Sequence, residues 1–65
     1  MTREVIAKMP EHIVTKIEMF RKDYANTALS ADTTRARIAG YVEGLRDAGM
    51  ITDRERQVLF CYATV

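Results

Sequence analysis

The side chains that could do acid–base or covalent chemistry reduce to one imidazole and one thiol, His12 and Cys61. For His12 to act as a catalytic base it would need a nearby nucleophile and a carboxylate to orient the ring, and neither is evident around it. It reads as a solvated residue in the first turn of a helix. Cys61 lies in the apolar run Val58-Leu59-Phe60-Cys61-Tyr62-Ala63-Thr64-Val65, where a buried, inert thiol is expected. The two are far apart and lack the spacing of zinc ligands, and a single cysteine cannot form an intramolecular disulfide. There is no glycine-rich phosphate loop and no pair of catalytic acids. The expectation is a protein that is not an enzyme and carries neither metal nor cofactor.

Recognition chemistry has more to work with. Arg35 and Arg46 share a helical face, and Arg54 and Arg56 begin the following helix, as phosphate contacts of a small DNA-binding transcriptional regulator could. Against this, Glu43, Asp47, Asp53 and Glu55 are interleaved with them, and ten basic residues against nine acidic ones leave a net charge of +1. That balance supplies no large field toward nucleic acid or anionic membrane. The DNA-reading helix-turn-helix also fits poorly, because taking Gly49 as its turn glycine puts Glu55 where an apolar packing residue belongs. A charge-balanced, solvated surface is the expectation, with the DNA-binding regulator as the alternative.

A third pattern is steric. Ala36, Gly40, Gly44 and Ala48 recur every four residues, so they form a strip of very small side chains along one side of a helix. An interior glycine costs about 1 kcal/mol relative to alanine, and two of them four apart imply close approach to the backbone. Ile38, Val42 and Leu45 mark nearly the opposite face, so this helix packs on two sides. Either the third helix covers part of the small strip within one monomer, or another chain does. The apolar terminus poses a similar question: it is apolar all round, two other helices cover only part of it, and Phe60 or Tyr62 is left as an interface anchor.

The elements that position these residues are helical. In the N-terminal third, Ile6, Met9, Ile13, Ile17, Phe20 and Tyr24 fall three or four apart and line one face. Pro10 interrupts that stripe, so the main helix is expected to begin there with Glu11 at its positive end, and to fade near Asn26 and Thr27. Residues 1–9 remain open between a short separate helix supported by a Glu4–Lys8 pair, an extended arm, and the first turns of one kinked helix. A second helix, capped by Ser30 or Asp32, runs to Gly49, which suits a left-handed residue just past a helix end. The third opens on Thr52-Asp53-Arg54-Glu55, a capping box. The expected fold is a single all-α domain over residues 1–65: three helices, the last two forming an antiparallel hairpin that turns between Gly49 and Thr52.

The segment from Gly40 to Val65 carries the pattern Gly-Leu-x-x-Ala-Gly-x-Ile-Thr-x-x-Glu-Arg over Gly44–Arg56, and it resembles the tails of small helical proteins of phages and mobile elements of Gram-positive bacteria. The resemblance implies an accessory or regulatory protein that acts by binding, with a host defence or regulatory protein as its target. Size points the same way, since a domain of 65 residues buries only about 60% of its unfolded surface, and a partner is the natural source of more. A homodimer, a host protein, or both are the expected partners; a purely structural small subunit is a further possibility. With no apolar run of about 18 residues and no small-residue cleavage site at the start, a cytoplasmic protein is expected.

Overall fold

Pro10 divides the N-terminal stripe in the way its chemistry requires. Its nitrogen carries no hydrogen to donate, and the chain turns at Met9–Pro10: the Met9 amide donates to the Ile6 carbonyl at 3.1 Å, and the Pro10 carbonyl accepts from Ile13 at 3.0 Å and Val14 at 3.1 Å. In the computed structural model, which describes residues 2–26 and 30–65, this separates α1 (Thr2–Lys8) from α2 (Glu11–Asn26). Then follow α3 (Ala31–Asp47) and α4 (Asp53–Ala63). Among the described residues the protein is all-α, with four helices and no strand, in place of the expected three helices. The added one is α1, and of the three readings of residues 1–9 the separate helix applies to those described. Glu4 and Lys8 do not pair; α1 is held because Val5, Ile6 and Met9 pack against the core. The main helix starts at Glu11 rather than Pro10, and α2 ends at Asn26; Thr27 lies outside the described residues.

The core follows the helical stripes. Ile13, Ile17 and Phe20 come from α2, Ile38 and Val42 from α3, Leu59 and Ala63 from α4, and Ile51 from the corner between the last two helices. Six of these, Ile13, Ile17, Ile38, Val42, Leu59 and Ala63, are 0% exposed. α4 touches α1, α2 and α3, which explains why its sequence is apolar on more than one side.

The corner is built from local chemistry alone. Gly49 has φ 76°, the left-handed region glycine enters without steric cost. Its amide donates to Arg46 at 2.9 Å and that of Met50 to Leu45 at 2.9 Å, the paired bonds of a Schellman motif. Three residues later Thr52 accepts from the Glu55 amide at 3.1 Å, while the Glu55 carboxylate accepts from the Thr52 amide at 2.8 Å. Ser30 occupies the cap position of α3 without a side-chain cap bond. A Cβ on Gly49 would meet no atom within 4 Å, so Gly49→Ala is expected to cost only the backbone strain, about 1 kcal/mol, read as a lower urea midpoint with an unchanged slope.

Candidate functional site

The sequence places Ala36, Gly40, Gly44 and Ala48 on α3 opposite the core-facing Ile38 and Val42, and all four are exposed. A Cβ built at Gly40 or at Gly44 would find nothing within 4 Å. The expectation that another helix of the same chain covers part of this strip is therefore corrected. α2 and α4 reach α3 from the side of Ile38 and Val42, and α1 packs on α4 instead. What remains is a shallow, open helix face floored by glycine, flanked by Arg37 on one side and by Glu43 and Asp47 on the other.

The arginines considered for nucleic acid are largely engaged within the chain. Arg35 donates to Asp32 at 3.3 Å and to the Tyr24 hydroxyl at 2.9 Å. Arg46 donates to Asp53 at 3.1 Å and to Asp47 at 3.2 Å, and Arg56 donates to Asp53 at 2.9 Å. Arg54 is exposed on the first turn of α4 and lines a groove with Glu4, Val5, Lys8 and Val58. Asp53 thus ties the end of α3 to the start of α4. Hydrogen bonds from Arg56, then from Arg46, hold its carboxyl below the ordinary value of 3.8. A carboxyl whose folded pKa is depressed contributes stability above its unfolded pKa and loses it as pH falls through the folded one. Asp53→Asn should accordingly lower stability slightly at neutral pH and remove the same small increment from the acid limb below about pH 4, so that the curves of variant and wild type converge in acid; the increment is small because exposed ion pairs contribute little.

At the other end of α4, Phe60 and Tyr62 are half-buried and pack against the core. The Tyr62 hydroxyl donates to Glu18 at 2.8 Å and accepts from Arg21 at 3.1 Å, and the Arg21 guanidinium lies 4.5 Å from the ring centroid. The bond to Glu18 is the leading reason the phenol is pushed above its ordinary value of 10.0. Instead of standing free as an anchor, Tyr62 is engaged by Glu18 and Arg21 of α2, and Phe60 packs against the core, so much of this surface is already spent inside the chain. Cys61 is exposed, against the expectation of a buried thiol, because even a helix covered by three others keeps one side toward solvent. His12 is exposed too.

Compared with known proteins, the chain matches no family model, no curated protein and no solved structure. Among the described residues no group of three or more His, Cys, Asp or Glu is placed to hold a metal ion, and no helix is long and apolar enough to cross a membrane. The sequence does not single out Glu18 or Arg21, the partners of Tyr62, and it marks Tyr24 only as part of the apolar stripe, not as the partner of Arg35. Those contacts join residues 41 and 44 positions apart for Tyr62, and 11 for Arg35, and no local spacing encodes them.

Proposed function

We propose that the protein is a small helical protein-binding module whose contact face is the outer side of α3, with a second copy of the chain as one partner. The observation that carries this reading is the open space over Gly40 and Gly44. Two interior glycines lower helix propensity by about 1 kcal/mol each relative to alanine, and nothing inside the monomer uses the room they leave. Close approach by another chain would use it. In this reading the antiparallel hairpin of α3 and α4, with α2 and α4 on the inner side of α3, presents the strip Ala36, Gly40, Gly44 and Ala48 outward. The accessory or regulatory role in a phage or mobile element, exerted on a host protein, belongs to the same reading and rests on the resemblance of the C-terminal half.

Sedimentation at increasing concentration tests it. Wild type should pass from monomer to dimer, with a midpoint that shifts little with salt, as an interface of small apolar residues requires. Gly40→Gln, Gly44→Gln should stay monomeric with unchanged helical circular dichroism. A wild type that remains monomeric throughout, or a double variant that dimerises as wild type does, contradicts the proposal. Tight association with DNA that weakens steeply with salt would point to the regulator instead.

A further inference from the structure

α1 is attached in an unusual way. It is only seven residues long, has no buried residue, and packs mainly on α4, the last helix of the chain, rather than on α2, to which it is joined by the Met9–Pro10 joint. A helix this short does not persist in water alone, so its form depends on the α4 surface beneath it. Yet the apolar stripe runs through the joint without a change of phase. At 100° per residue Ile6, Met9, Ile13, Ile17, Phe20 and Tyr24 fall within an arc of about 80°, as they would on one uninterrupted helix.

The stripe is therefore compatible with two arrangements. In the one observed, the chain breaks at Pro10 and α1 folds back on its own α4. In the other, Thr2–Asn26 forms a single straight helix about 37 Å long, which carries α1 away from its own α4 and leaves that site empty. What fits the vacated site is fixed by the structure, since it is built to hold α1, and a second copy supplies the same helix. We propose that Met9–Pro10 is a hinge about which α1 exchanges between two copies, each docking the Val5 and Ile6 side of α1 on the other's α4. This goes beyond the α3 contact face and does not depend on it. Pro10 sets the balance: proline is the residue least tolerated inside a helix, where it removes one backbone hydrogen bond and crowds the carbonyl four residues before it, here that of Ile6. It holds wild type in the closed, broken form and makes exchange the minor state.

Pro10→Ala removes that restraint, and the test is best made in the Gly40→Gln, Gly44→Gln background so that association through α3 does not contribute. The expected result is a dimer with a dissociation constant lower by at least about tenfold than in the same background with Pro10 intact, together with increased helical circular dichroism. Adding Ile6→Asp, which spoils docking of α1 in cis and in trans alike, should return the protein to a monomer. A Pro10→Ala variant that stays monomeric, that loses helical signal, or whose dimer survives Ile6→Asp overturns the proposal. Because the α3 face is disabled throughout, failure here leaves the contact-face reading standing, and the reverse also holds.

Discussion

Leu59→Ala should cost about 3 kcal/mol, the usual range for emptying a fully buried leucine site being about 2–5 kcal/mol. Leu59 is 0% exposed and sits on α4, the helix that touches all three others, so the vacated space lies among side chains from several elements and cannot collapse by moving one. Domain stability runs at about 0.05–0.15 kcal/mol per residue, which for a chain of 65 residues is about 3–10 kcal/mol. The substitution thus removes a third or more of what holds the fold, and a partly unfolded population in water is expected, read from the urea transition of the helical circular dichroism signal. Met19→Ala is the matched control: Met19 is 54% exposed, and its loss should change stability by no more than about 0.5 kcal/mol. Equal effects at the two positions would contradict the arrangement of the core.

Gly40→Ala combined with Gly44→Ala should have the opposite sign. Each replacement gains helix propensity of about 1 kcal/mol, and the added methyl groups meet no atom within 4 Å. The double variant should therefore be more stable by about 2 kcal/mol. For a domain of this size that raises Tm by roughly 10 °C, measured at a concentration low enough for the protein to be monomeric. If instead either substitution destabilises the monomer, something in the same chain packs over α3, and the outer face is not free. Contact within the fold and contact with another molecule are thereby separated as reasons for a helical glycine, because only the second leaves the isolated monomer indifferent or improved.

Much of the fold was legible in the sequence wherever the cause is local. The Gly49 stop and the Thr52–Glu55 box depend on residues within a few positions of one another, and the core faces of α2 and α3 follow from spacings of three and four. What was not legible was tertiary. Residues Thr2–Lys8 carry too little periodicity to show that they form a helix, and nothing in them names α4 as the surface they pack on; Phe60 and Tyr62 look freer in the sequence than they are because the residues that engage Tyr62, Glu18 and Arg21 of α2, are 44 and 41 positions away. Cys61 was misplaced for the converse reason, since an all-round apolar sequence does not reveal which position faces out once three neighbours have docked. For the candidate face, the sequence showed the strip of Ala36, Gly40, Gly44 and Ala48 but left open whether it lies inward or outward. That depends on which face of α3 the other helices pack on, a long-range matter.

The central claim, that a second chain docks on the outer side of α3, is tested most directly by amide NMR spectra recorded over a dilution series. The account predicts that concentration-dependent shifts concentrate at Ala36, Gly40, Gly44 and Ala48 and at the flanking Arg37, Glu43 and Asp47, while the buried amides of Ile38 and Val42 and those of α2 change far less. Spectra that do not change with concentration, or shifts that gather elsewhere and spare α3, would contradict it.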